Sequence, residues 1–409
     1  MKKVIISISL CLIAAFTFAQ NKNVSDAQKQ VRTAPPDYAE ARRLIGLALE
    51  NTETSNQAKT WYTAGWIESQ QFEALNSILF MGTALNPAQQ QTMHNAILAM
   101  YPYFVKTSEL DNLPDAKGKV KPKYSGSMKT ALRSAHNQYI NGGSVAFDSK
   151  DYARAYGFWN AYTSIPDMSI FAGDREMAKV KADTNYAQIL LYTGIAASEM
   201  KDAQKAIEAY EKVEKTGFNN EVVLRYLSYE YNLAGESDKY IATMKLGAER
   251  YPEADYFLLN LVNYYITKED NENAALTLEQ AVLRQPDNSD LFRALGDVYD
   301  ELDNVEKTRI NYNKAIEINP DNIDALGNLG RTYYNAAIKK VAEAADVDQS
   351  QYQQYVNEAK EFYRQALPYF EKALELNPDG RIYLGPLRSI YYNLNMGDKL
   401  EMIEKKLTE

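Results

Sequence analysis

Two histidines, one cysteine, a knot of carboxylates and a run of lysines are the residues of this 409-residue chain whose types and spacing could do chemistry. His94 and His136 stand 42 positions apart, and the cysteine is Cys11. A transition metal asks for three or four imidazole, thiolate or carboxylate ligands converging on one point, so two distant histidines do not compose a site. Asp297, Asp300 and Glu301 are close enough to share a proton, as acid–base hydrolysis requires, although carboxylates on an exposed helix face are ordinarily just solvated. Lys117, Lys119, Lys121 and Lys123 sit among Pro114, Gly118, Pro122 and Gly126, which makes 111–127 a basic, turn-rich insertion that either docks an acidic partner or lies solvated. The spacings that mark phosphate loops, dinucleotide sites, zinc proteases and serine hydrolases are missing. The expectation is a protein with no catalytic residue, no metal and no cofactor. An enzyme with its site in 52–135 is the least favoured alternative.

The first 19 residues have the form of an address. Lys2 and Lys3 precede an apolar stretch from Val4 to Phe18, and Ala19 with Thr17 at minus three suits cleavage, which together make a secretory signal peptide. The stretch is shorter than the 20 or so apolar residues a membrane crossing needs, and polar Gln20, Asn21, Lys22 and Asn23 follow it directly. Cys11 follows Leu10 rather than a small residue, so lipid attachment there is not expected. Cleavage after residue 19 leaves 43 basic and 54 acidic residues and no thiol, hence no disulfide and no cysteine-bound metal. That acidic balance disfavours nucleic acid and anionic lipid as partners, and the mature chain has no transmembrane segment.

A chain that is 45% apolar and 24% charged, with 19 Gly and 13 Pro, suits a soluble and mostly helical fold. Its organisation is a repeat. Pro252, Pro286 and Pro320 are 34 residues apart, each after a helix-like run. Aligned on them, Leu258, Leu261, Val262, Tyr265, Ala274, Leu278 and Ala281 correspond to Phe292, Leu295, Gly296, Tyr299, Thr308, Tyr312 and Ala315. Each unit is a pair of amphipathic helices whose apolar stripe is covered only by stacking on a neighbour. The 31 tyrosines follow from this, because Tyr231, Tyr265, Tyr299, Tyr333 and Tyr391 recur where hairpins meet and can turn a hydroxyl outward.

The pattern of a large residue, Leu, Gly, Tyr, then Ala, an aromatic and Ala before the proline resembles the tetratricopeptide repeat. The resemblance implies an all-α, right-handed α-solenoid of stacked helix-turn-helix hairpins. It divides the chain into the signal peptide 1–19, a degenerate helical region 20–135 containing the basic loop, an array 136–380 with a lengthened hairpin 323–380, and a capping hairpin 381–409. The lengthening is legible as 24 extra residues between Pro320 and Pro378, about Ala336 to Ala359, without Gly or Pro. The signal peptide, Asp37–Ala41 followed by Lys59–Tyr62, Lys117–Tyr124 and the long hairpin together resemble exported tetratricopeptide proteins of the Bacteroidetes, which implies a periplasmic or outer-membrane-associated location.

In this family the first helix of each hairpin lines a concave groove. Carried over, its groove positions are Arg225, Tyr229 and Asn232, then Asn263, then Arg293, Asp297 and Asp300, then Arg331, Tyr334 and Asn335, and last Tyr392 and Asn393. Arginine forks and amides suit the carboxylates and peptide groups of an extended polypeptide. The expected function is a non-enzymatic scaffold for a protein or peptide partner in the cell envelope, with a chaperone-like assembly factor as the alternative. The family variant that clamps a C-terminal carboxylate uses lysine in the groove, and lysine is absent from these positions.

Overall fold

The computed structural model describes residues 21–408, so the segment read as a signal peptide lies outside the described residues. Helical residues 21–31 (α1) lead into α2 (Tyr38–Glu50), α3 (Ala58–Phe80), α4 (Pro87–Asp111), α5 (Ser125–Asp148), α6 (Tyr152–Ser164), α7 (Arg175–Ala182), α8 (Thr184–Glu199), α9 (Ala203–Glu214) and α10 (Asn220–Leu233). Within α11 (Ser237–Arg250), between Tyr240 and Ile241, the chain divides into two compact units. The C-terminal unit continues with α12 (Asp255–Thr267), α13 (Asn271–Arg284), α14 (Ser289–Glu301), α15 (Val305–Ile318), α16 (Ile323–Ala345), α17 (Gln349–Leu376), α18 (Leu384–Asn393) and α19 (Gly397–Thr408). The fold is all-α among the described residues, built of helical hairpins that stack within each unit.

In the C-terminal unit each helix from α12 to α19 packs on the next. Of the aligned repeat positions, all except half-buried Phe292 are buried, and each fully buried Leu or Tyr contributes about 2 kcal/mol of apolar transfer. In the N-terminal unit α2 to α6 stack in sequence, after which α6 meets α8 directly. Pro166 follows the end of α6 by two residues, as Pro252, Pro286 and Pro320 follow α11, α13 and α15. It opens a 3-10 turn, Ile165–Asp167, and together with Ser169–Phe171 and α7 it forms an insertion beside the stack. The basic loop is shorter than the expected 111–127, because α4 retains Asp111 and α5 starts at Ser125.

The hairpin turns share one device. A single residue with positive φ reverses the chain, at Lys201, Gly235, Glu269 and Asp303, again 34 apart. The next residue caps the second helix in several of them, as when Asp202 accepts from the Lys205 amide at 3.2 Å and Asn304 from the Lys307 amide at 3.1 Å. Left-handed backbone favours glycine, and Gly235 supplies it in one of the four turns.

Three of the five recurring tyrosines are tied down by a partner the repeat pattern does not reveal. Tyr231 donates to Glu211 at 2.8 Å and Tyr391 to Glu371 at 2.9 Å, each glutamate 20 residues earlier on the preceding helix. Tyr299 donates to Glu279 in the same way, and Lys307 lies 3.1 Å from Glu279 and 4.5 Å above the Tyr299 ring. Each hydroxyl thus joins one hairpin to the next. The bond from Tyr299, with Lys307 beside it, holds the Glu279 carboxyl below its ordinary 4.5. A carboxylate lowered on folding contributes stability that is full above its unfolded value and lost as pH falls through the folded one. Tyr299→Phe therefore makes acid unfolding below about pH 4.5 less steep, as a circular-dichroism titration of both proteins measures; identical slopes would sink the assignment.

Candidate functional site

Five of the groove residues meet around one pocket. In the C-terminal unit α12, α13, α14 and α16 enclose an open pocket of about 580 Å³ whose lining includes Asn263, Arg293, Asp297, Asp300 and Arg331. Asn263, Asp297 and Arg331 occupy the same repeat position 34 residues apart, so successive first helices bring them into one row.

Asp297 is the hub of that row. Its carboxylate accepts from the buried Tyr312 hydroxyl at 2.8 Å and the Asn328 amide at 2.7 Å, and it pairs with the Arg293 guanidinium. Burial pushes its pKa above the ordinary 3.8 in spite of those donors. Arg331 pairs with Asp300 at 3.4 Å. Asp297, Asp300 and Glu301 therefore do not form the proton-sharing group their spacing allowed, since the first two hold an arginine each. The arginines are equally altered. Expected to grip a partner's carboxylates, they are already neutralised by groove aspartates. Arg293 and Asp297 are four apart on one helix face, which the sequence does display.

Apolar side chains absent from the expected groove set also line the pocket. Leu259 and Ile266 stand 34 residues before Arg293 and Asp300, in the same frame, and Ile266 is 42% exposed. With Val262 they give α12 an aliphatic strip in the lining of the pocket. Asn328 also lines the pocket and carried no sequence signal.

The remaining groove residues lie elsewhere. Arg225, Tyr229 and Asn232 are on α10 in the N-terminal unit, with Arg225 paired to Glu221 at 2.5 Å and Tyr229 54% exposed. Tyr334 is on α16. It is half-buried, its ring 5.9 Å from Tyr363 and 6.2 Å from Phe370 of α17. Asn335 is exposed on α16. Tyr392 and Asn393 line a separate depression with Lys360 and Leu400.

Outside the groove, His136 is buried, hydrogen-bonded to the Tyr162 carbonyl at 2.9 Å and stacked on its ring, while His94 packs edge-on to Phe158. Burial lowers both pKa values. Among the described residues no three metal-ligating side chains come together, and no helix is long and apolar enough to cross a membrane. A cleft of about 540 Å³ between α4 and the 3-10 turns carries Glu109 and Asp167, but each is paired to a lysine, Lys106 at 2.8 Å and Lys181 at 2.6 Å.

Residues 259–323 and 311–352 match two family models, each described as tetratricopeptide repeat. Residues 259–352 are tetratricopeptide repeats. Among solved structures the chain is similar to a tetratricopeptide repeat protein from Bacteroides fragilis, at 19% identity over 63% of this chain and 98% of that one, with a TM-score of 0.32. It is also similar to the C-terminal part of a tetratricopeptide repeat-containing protein from Cytophaga hutchinsonii, at 17% identity over 65% and 93%, with a TM-score of 0.39. A third is YrrB, described as a tetratricopeptide protein with an unusual peptide-binding site, at 17% identity over 50% and 96%, with a TM-score of 0.32. No curated protein matches the sequence. The matched repeats span α12 to α16, the helices whose first members build the pocket, and as tetratricopeptide repeats they support a protein-interaction scaffold.

Proposed function

We propose that this protein is a non-enzymatic scaffold of the cell envelope that holds an extended segment of a partner protein in the groove between α12 and α16. The supporting observation is the pocket itself, which is lined both by aliphatic Leu259, Val262 and Ile266 and by amide and charged groups of Asn263, Asp297, Asn328 and Arg331. A polypeptide offers that combination along its length, side chains to bury and peptide groups to hydrogen-bond. The envelope location is inferred from the first 19 residues, and from their likeness, with the basic loop and long hairpin, to exported Bacteroidetes proteins.

The experiment is a crosslinked pull-down of the tagged protein at native level, analysed by fraction. Ile266→Glu with Arg331→Glu should reduce capture of a stoichiometric envelope partner at least tenfold while the helical circular-dichroism signal is kept, equivalent to about 1.4 kcal/mol or more. Arg293 is a poor probe, because its reversal sets a glutamate against the Asp297 hub. Capture unchanged by the double variant rejects the groove, and a broad set of unfolded outer-membrane clients favours a chaperone instead.

A further inference from the structure

The lysine loop, residues 112–124, is built with more order than a solvated connection needs. The Asp115 carboxylate accepts from the Lys117 and Lys119 amides, both at 2.9 Å, and the Asp111 carboxylate from the Lys123 and Tyr124 amides at 2.6 and 2.9 Å. Gly118 turns the chain with φ +71°, and Tyr124 stacks on Tyr62 at 4.2 Å between centroids. The two aspartates that could have neutralised the lysines are engaged with the main chain. Lys117, Lys119, Lys121 and Lys123 are exposed and have no ion pair among the described residues. Between two of them Val120 is 51% exposed, and Pro122 biases Lys121 to extended backbone. The loop thus presents an aliphatic side chain flanked by cations.

The groove of the C-terminal unit has the complementary composition. Its aliphatic strip adjoins Asp300 and Glu301, and Glu301 is exposed with no ionic partner among the described residues. Its two arginines are neutralised. The negative charge of the whole molecule is concentrated in this half, with 19 basic and 29 acidic residues in 241–409 against 24 and 25 in 20–240. A field of that sign draws a cationic segment to the pocket.

We propose that the groove takes the lysine loop of a second copy of the chain, with Val120 against Leu259 and Ile266 and Lys119 and Lys121 toward Asp300 and Glu301. This rests on the groove reading and names an occupant that competes with the partner segment. The contact joins unlike surfaces, so copies add head to tail instead of closing as a symmetric pair. Being largely ionic and exposed, it weakens with salt.

Sedimentation velocity of the full chain over a concentration series tests it. The weight-average sedimentation coefficient should rise with concentration in about 50 mM salt, with association about tenfold weaker in about 500 mM. Lys119→Glu with Lys121→Glu, and separately Asp300→Lys with Glu301→Lys, should each leave the chain monomeric. Mixing the two variants should restore association, which misfolding of either could not do. A wild-type chain that stays monomeric at every concentration, or assembly that neither variant alters, overturns the proposal. If the chain is monomeric yet still loses its envelope partner with Ile266→Glu and Arg331→Glu, self-association fails and the groove reading stands; if neither assembly nor capture responds, both fail.

Discussion

Asp297→Ala should destabilise the C-terminal unit by about 2 kcal/mol, chiefly what stranding a buried hydroxyl costs, because the carboxylate itself is half-buried. Three donors converge on this carboxylate, and the buried Tyr312 hydroxyl loses its recorded hydrogen-bond acceptor when it goes. An unsatisfied buried hydroxyl costs about 1–3 kcal/mol, and a stranded Arg293 adds to that. Part is returned, because burial already raises the Asp297 pKa and its ionised form is held at some cost. Asp297→Asn keeps one acceptor oxygen and should lose about half as much. Urea unfolding followed by far-ultraviolet circular dichroism is the measurement, since Trp61, Trp66 and Trp159 all lie in the N-terminal unit. Combined with Tyr312→Phe, the double variant should show a coupling of about 1 kcal/mol. Strictly additive losses would remove the hub from the account of the groove. The sign with pH is also set. A carboxyl raised on folding binds its proton more readily in the folded state, so its unfavourable contribution is relieved as pH falls through the folded value, opposite to Glu279.

Gly296→Ala, one residue away, should cost about 2 kcal/mol, although alanine is the better helix former. A β-carbon there would lie 2.5 Å from two atoms of the Tyr312 ring, a distance real contacts do not reach. The ring cannot swing aside freely, because its hydroxyl is bonded to Asp297. Overpacking of this kind costs about 1–3 kcal/mol, and the roughly 1 kcal/mol gained from helix propensity offsets only part if the ring is pinned. Gly46→Ala is the control. That glycine is also inside a helix, α2, but a β-carbon there meets nothing within 4 Å, so the substitution should stabilise by about 0.5–1 kcal/mol. The two substitutions are chemically identical and should have opposite signs, read as opposite shifts of the urea midpoint. Equal shifts would mean that Tyr312 is not held as the geometry has it.

Much of this architecture is written in the order of residues. Pro252, Pro286 and Pro320 give the period, and the apolar positions between them give helices whose stripes can be covered only by their neighbours. The chain-reversing residues at 201, 235, 269 and 303 keep the same period, so local backbone preference and the apolar pattern agree. The frame also placed Asn263, Asp297 and Arg331 in one row, because a fixed repeat length carries a fixed position onto the same face of each successive first helix. Such features depend on neighbours within one or two helical turns or one repeat, and a linear pattern preserves them.

Only the tertiary structure decided what those groove residues hold. Arg331 reaches Asp300 across 31 residues, and Asp297 is completed by Tyr312 from a second helix and by Asn328 from the next hairpin. Tyr334 has the sequence position of a groove residue, and the packing of α17 on α16 gives it Tyr363 and Phe370 as neighbours. The insertion after Pro166, and the capture of Asp111 and Asp115 by loop amides, likewise depend on where chain segments meet. Periodicity assigns a side chain its face, because that follows from helix geometry. Whether its charge is open to a partner or already neutralised depends on distances between atoms far apart in the chain, and those are set by packing.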